Sequence, residues 1–225
     1  MNKFLFLIFT VILTISAISG YGSNGIVPEY NTENRNDSVA TINADSPITG
    51  TLNGHNWVDL GLPSGTKWAT CNIGATKSED YGDYYAWGET QSKKKYNEKN
   101  YKYTDNSIVL SSKDDVATAN WGSDWRMPTQ AEMDELSSNC IHKWTTQNGV
   151  NGLLFTGTNG NSIFLPAAGS RSDSSLDKAV FSGCYWSSSL VPDDDSSWFL
   201  LFASDDYDVG HTNRYYGFSI RPVCN

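Results

Sequence analysis

Two neighbouring stretches, WRMPTQAEMDELSSNC at residues 125–140 and NGLLFTGTNGNSIFLP at residues 151–166, carry opposite structural signals. In the first, Thr129 stands three residues before Glu132. That is capping-box spacing, where the hydroxyl and the carboxylate each accept a backbone N–H at the start of a helix. Pro128 restricts the approach. Ala131, Met133, Leu136 and Cys140 then fall on one approximate helical face, with an end expected near Ser138 or Asn139. In the second stretch, two apolar runs flank Asn159-Gly160. A primed hairpin turn favours that pair because it needs positive φ.

The flanking sequence extends the pattern. Ser112 precedes Asp115 at capping-box spacing and opens a short helix through Ala119. Lys67 to Cys71 alternates after the turn Pro63-Ser64-Gly65 and reads as a strand. The aromatic run Tyr81 to Glu89 also reads as a strand, as do Cys184–Ser189 and Trp198–Phe202. The chain closes on a strand at Gly217–Val223, where Pro222 marks an edge or an end. Short strands, two short helices and long polar connections make an α+β pattern, and no fixed-period repeat appears.

The first residues have the grammar of an export signal. Lys3 precedes the apolar run Phe4 to Leu13, and small residues at Ala17 and Ser19 place cleavage after Ser19. That run is shorter than the roughly 20 apolar residues a membrane span needs. Residues 20–50 are too polar to offset their ordering entropy and read as a tether. The domain is therefore expected at 51–225, enough chain to bury about 70% of its unfolded surface. A formal net charge of −9 argues against nucleic acid and against anionic membranes. The lysines at 93, 94, 95, 99 and 102 read as a solvated loop. Cys71, Cys140, Cys184 and Cys224 form an even set, which in an exported chain favours disulfides. Three pairings are open, and Cys71–Cys140 with Cys184–Cys224 is the one expected. No two of these cysteines are close enough in sequence for a zinc pattern.

Catalytic patterns are missing. His55, His142 and His211 have no metal-ligand spacing, and there is no nucleophile elbow or phosphate loop. Glu132 and Glu135 on one helix read as a solvated face. Binding chemistry is better represented, with 8 Trp and 12 Tyr, rings that give large contact area at low entropy cost. Trp68, Trp87, Trp125 and Trp186 read as core. Trp198, Tyr207, Tyr215 and Tyr216, with Arg171, fall in the region from Ala167 to Tyr216 and are the candidate ligand contacts. Two acidic loops, Asp193-Asp194-Asp195 and Asp205, Asp206 with Asp208, flank the strand Trp198–Phe202. Calcium takes about six to eight oxygens, so it is the one cofactor these loops suggest, if they meet at one end of a hairpin.

Six motifs in order resemble a known family. They are DLGLPSGTKWATC (59–71), YGDYYAWGE (81–89), WRMPT (125–129), FLPAAG (164–169), YWSSS (185–189) and RPV (221–223). Together, from Leu52 to Val223, they look like the Fibrobacter succinogenes major paralogous domain family of gut Bacteroidetes. That family is similar to the C-type-lectin-like fold, whose branches include formylglycine-generating enzyme. The resemblance implies a twisted, mostly antiparallel sheet with two helices, paired N- and C-terminal strands, and long ligand-contacting loops on one side. It also implies where an oxidase would carry two nearby cysteines, just before the final Gly-Phe strand. No cysteine lies between Cys184 and Cys224, so that chemistry is not expected. The Glu-Pro-Asn and Trp-Asn-Asp motifs through which C-type lectins bridge calcium to sugar are also missing. The expectation is a secreted or surface-associated, non-catalytic module that binds carbohydrate or a surface protein. A passive subunit of a surface assembly is the alternative.

Overall fold

The structure is a computed structural model that describes residues 49–192 and 195–225. The expected signal peptide, the tether as far as residue 48, and Asp193 and Asp194 lie outside these residues. In chain order the described elements begin with strands β1 (Gly50–Leu52), β2 (His55–Asp59) and β3 (Lys67–Ala69). Helices α1 (Val116–Trp121) and α2 (Gln130–Asn139) follow, then β4 (Ile141–Gln147), β5 (Val150–Thr156) and β6 (Ser162–Pro166). The remainder is β7 (Ser170–Ser172), β8 (Ser175–Asp177), β9 (Ser182–Leu190), β10 (Ser196–Ala203), β11 (Tyr207–Asn213) and β12 (Val223–Cys224). They build a four-stranded sheet β1-β2-β3-β12, two three-stranded sheets, β4-β5-β6 and β11-β10-β9, and the hairpin β7-β8. Every pairing between these strands is antiparallel, so the class is α+β. The first and last described strands share one sheet, although β12 pairs with β3 rather than with β1. No helix among the described residues is long and apolar enough to cross a membrane.

Local chemistry explains which expectations hold. Helix α2 starts on the expected capping box, with Thr129 and Glu132 satisfying each other's backbone N–H groups. Met133, Leu136 and Cys140 face inward, whereas Ala131 is exposed. Helix α1 is capped by Asp115, not Ser112. One Asp115 oxygen accepts the N–H groups of Ala117 and Thr118, and the other accepts that of Met127. The β5–β6 hairpin forms as expected, but its turn is not primed, because only Gly160 has positive φ, +85°. Asn159 uses its side chain instead, accepting from Asn161 N–H and donating to the Asp59 carbonyl. The primed turn lies one connection earlier, at Asn148 (φ +48°) and Gly149 (φ +85°), joining β5 to the unexpected strand β4. Tyr81 to Glu89 is not a ladder strand. Gly82 and Gly88 hold left-handed conformations that interrupt it, and the segment makes a single bridge, Tyr85 with Phe218. The final strand is likewise shorter than expected.

The four expected core tryptophans are all buried, each at most 1% exposed. Three of them donate their indole N–H to a distant carbonyl: Trp87 to Ser187, Trp125 to Leu52 and Trp186 to Tyr85. Glu132 and Glu135 are not a solvated face. Glu132 accepts two 2.6 Å bonds from the Arg126 guanidinium and one from Thr66. Glu135 accepts the Ser64 N–H and hydroxyl. Both therefore fasten α2 to the β2–β3 connection. Burial opposes ionisation of Glu132, but the bonds from Arg126 and the Thr129 backbone outweigh it and hold its pKa down to about 2.

A depressed carboxylate pKa stabilises the fold above its unfolded value, and the gain is lost as pH falls through the folded value. The window here runs from about 4.5 down to about 2. The shift corresponds to about 3 kcal/mol, reduced to roughly 2 kcal/mol by partial exposure of Arg126. Glu132→Gln is expected to lower stability at pH 7 by about that amount and to flatten the acid dependence between pH 4.5 and pH 2. Urea unfolding across that range measures both effects.

Candidate functional site

Trp87 is fully buried, and side chains of the site pack on it. Its backbone N–H donates to the Arg214 carbonyl, and its own carbonyl accepts the Tyr101 hydroxyl at 2.8 Å. The Arg214 guanidinium lies 5.8 Å from the Trp87 ring and 5.9 Å from the Tyr101 ring. Cation–π contact of this kind suits a delocalised, weakly hydrated cation. Arg214 is 7% exposed. Its terminal nitrogens donate to the Asp105 carbonyl, the Asn106 side chain and the Asp195 carboxylate, while Nε has no protein partner. Tyr103 meets the Trp87 ring edge-on at 5.5 Å, and its buried hydroxyl is also without a partner.

Tyr215 leans on Tyr216 at 4.7 Å, and Tyr216 lies parallel to Phe218. Asn213 donates to the Tyr215 hydroxyl. Tyr101, Tyr103, Asn106, Asn213, Arg214 and Tyr215 line a cavity of about 490 Å³, with Glu98 and Asp195 also on its wall. That is within the usual range for a small-ligand site. Tyr103 also lines a second cavity, of about 430 Å³, with Glu89, Thr90, Gln91, Lys93 and Lys102. Burial pushes the Tyr103 phenol up to about 12, with Asp114 and Asp105 adding to the effect. Burial raises Tyr101 as well. Both phenols are therefore neutral near neutral pH, the Tyr101 hydroxyl being committed to the Trp87 carbonyl.

The walls are fixed by the backbone. Asn213 pairs with Ser196 at one end of the β10–β11 hairpin, which brings Asp195, Arg214 and Tyr215 together. The opposite wall follows a turn at Glu98–Asn100, closed by a reciprocal Asn97–Asn100 cap. Tyr96 and Asp173 exchange backbone bonds just before it. The lysine segment is thus more ordered than a solvated loop. Lys94, Lys95, Lys99 and Lys102 are exposed, but Lys93 is pinned by Glu89 at 2.6 Å and lies over the Tyr96 and Tyr101 rings.

The expected contact residues are only partly brought together. Tyr215 lines the cavity and Tyr216 supports it from below. Trp198 lies two rungs down the hairpin, edge-on to His211 at 5.4 Å. Tyr207 is at the far end, its ring against His142 at 4.0 Å. Arg171 sits over Tyr84 at 4.9 Å, away from the cavity. Asp195 does not converge with Asp205, Asp206 and Asp208 either. Asp195 precedes β10, whereas Asp205 and Asp206 follow it and Asp208 lies on β11. Eight residues of extended strand separate the two ends by about 25 Å. Among the described residues no group of three or more His, Cys, Asp or Glu is close enough to hold a metal. Tyr101, Tyr103, Asn106, Asn213 and Arg214 were not expected. The one available signal was the alternation Tyr101-Lys102-Tyr103 directly after the lysine cluster.

All four cysteines are free thiols, so the expected pairs Cys71–Cys140 and Cys184–Cys224 are not formed. Cys140, Cys184 and Cys224 pack into three separate apolar clusters, which keeps them apart. Burial pushes the Cys184 thiol up to about 12 and the Cys140 thiol up to about 11, the latter aided by Glu135. A thiolate-selective reagent at pH 8 is therefore expected to modify the half-buried Cys71 first in the native protein and all four thiols after denaturation. Mass spectrometry of the labelled protein distinguishes this from a disulfide-bonded form, which would yield fewer than four. Against family models, curated proteins and solved structures, the chain gives no match.

Proposed function

We propose that the chain is an exported, non-catalytic carbohydrate-binding module of the Fibrobacter succinogenes major paralogous type, with a C-type-lectin-like fold. The observation that carries this reading is the cavity between Tyr101, Tyr103 and Tyr215. It combines phenol rings with side-chain amides and a buried guanidinium, held in place by backbone-fixed loops. Sugar rings present C–H faces and hydroxyls together. Aromatic faces receive the former, and fixed amide and phenol groups receive the latter. The Tyr215 ring with the Asn106 and Asn213 amides suits an uncharged, hydroxyl-rich surface. Rigid walls reduce the ordering entropy that binding would otherwise cost.

Two of the tyrosines support a structural role instead. Tyr207 packs against the cluster around Phe202, and Tyr216 against the cluster around Phe218. The functional reading therefore rests on Tyr215 and Tyr103. An array of neutral and acidic glycans, probed with wild type and with Tyr215→Ala, tests it. Wild type is expected to bind a defined glycan set, and Tyr215→Ala to weaken that binding about tenfold. Folded wild-type protein that retains no glycan overturns the carbohydrate reading. If it instead captures purified surface proteins, the site recognises a protein partner.

A further inference from the structure

Between Glu89 and Tyr103 the chain carries five lysines against two carboxylates, Glu89 and Glu98. This basic segment stands on a chain whose formal net charge is −9. Part of the charge is already neutralised. One Glu89 oxygen holds the Lys93 ammonium at 2.6 Å, and the other accepts the Lys102 backbone N–H at 3.0 Å. Lys93 also donates to the Asn100 carbonyl. Neither Glu89 nor Lys93 is thus available to a ligand as an open charge.

Lys102 differs. Its side chain is exposed and lines the 430 Å³ cavity, and among the described residues no carboxylate lies within ion-pair reach of its ammonium. The other lining side chains there, Thr90, Gln91, Ser92 and Asn100, are neutral and polar. The adjoining 490 Å³ cavity has the opposite balance. Glu98 and Asp195 both line it, the Asp195 side chain being 94% exposed. Its one cation, Arg214, is buried and already bonded to Asp195. Tyr103 belongs to both linings.

Resting on the carbohydrate reading above, we infer that the ligand is an acidic heteroglycan, with one anionic sugar beside Lys102 and a neutral sugar beside Tyr215. The anionic group is a carboxylate or a sulfate ester. A chain charged on every unit is disfavoured, because its next charge would face Glu98, with Arg214 already neutralised by Asp195. The same balance disfavours nucleic acid, whose phosphates recur at every step.

The test measures affinity of the full chain, at low salt, for anionic phospholipid vesicles and for four glycan probes. These are a hyaluronan oligosaccharide (alternating glucuronate and N-acetylglucosamine), its carboxyl-reduced form, a carboxyl-reduced chondroitin sulfate oligosaccharide (sulfate on alternate sugars only), and polygalacturonate. An alternating acidic probe is expected to bind at least about tenfold more tightly than carboxyl-reduced hyaluronan, in line with a charge-assisted hydrogen bond. The hyaluronan and carboxyl-reduced chondroitin sulfate arms distinguish carboxylate from sulfate. Lys102→Gln should abolish the preference while retaining binding of the neutral form, and Lys143→Gln, on an exposed lysine of strand β4, should change nothing. Raising the salt should erode the preference, because an exposed charge is screened. Equal affinity for acidic and neutral forms, or a preference that survives Lys102→Gln, overturns this inference and leaves the carbohydrate reading standing. Tightest binding to polygalacturonate, or equal binding to anionic phospholipid vesicles, also overturns it. No binding to any of these probes or to any arrayed glycan overturns both readings.

Discussion

The buried guanidinium of Arg221 is the interaction on which the rest of the fold depends. It is 1% exposed, and no carboxylate among the described residues lies within ion-pair distance. Its charge is spread over neutral acceptors instead: the Asn72 side chain and the carbonyls of Ala69, Thr70 and Phe164. Burial lowers its proton affinity, yet this array of acceptors offsets the desolvation that an isolated charge would suffer. Asn72 passes the connection on, donating to the Tyr81 carbonyl and the Tyr185 hydroxyl, and Tyr185 in turn donates to the Pro166 carbonyl. One cation therefore ties together the exit from β3, strand β6, strand β9 and the Tyr81–Glu89 segment. These elements belong to three different sheets or to none, and ladder bonds alone do not join them.

The site inherits its rigidity from that knot. Tyr81–Glu89 has almost no ladder of its own, so its course is set by Asn72 at one end and by Trp87 at the other. Trp87 donates to β9 through its indole, donates to Arg214 through its backbone and accepts from Tyr101. The cavity is thus built around a segment whose glycines prevent it from being a strand. Gly88 illustrates the constraint. A Cβ there would lie 2.6 Å from the Tyr103 ring, so only glycine lets that tyrosine approach Trp87.

The sequence revealed local structure better than long-range structure, for physical reasons. The α2 cap involves two side chains three residues apart, so spacing alone exposes it. The β5–β6 pairing follows from two apolar runs around one glycine. Strand β11 escaped notice because it is an edge strand whose alternate positions, Asp208 and Thr212 among them, are polar. Strand β4 was missed although Asn148-Gly149 is the stronger hairpin signal. Its first residue, Ile141, is 78% exposed, so the apolar pattern does not mark the inner face. The site itself was scarcely legible. Trp87 and Tyr103 meet across 16 positions, and Arg214 with Tyr215 reaches them only across more than a hundred, which no spacing rule encodes.

Charge shows the same division between what is local and what is global. Glu132, Glu135 and Lys93 look like surface in the sequence, and all three hold the fold together through named partners. Counting charges along a segment therefore overstates what solvent or a ligand meets. The informative residues are those left over once internal partners are assigned, and these leave Lys102 beside one cavity and Glu98 beside the other. A net charge of −9 describes how the whole molecule behaves at long range. Recognition at a site a few ångströms across depends instead on these few unneutralised groups, because screening removes the rest within about a Debye length.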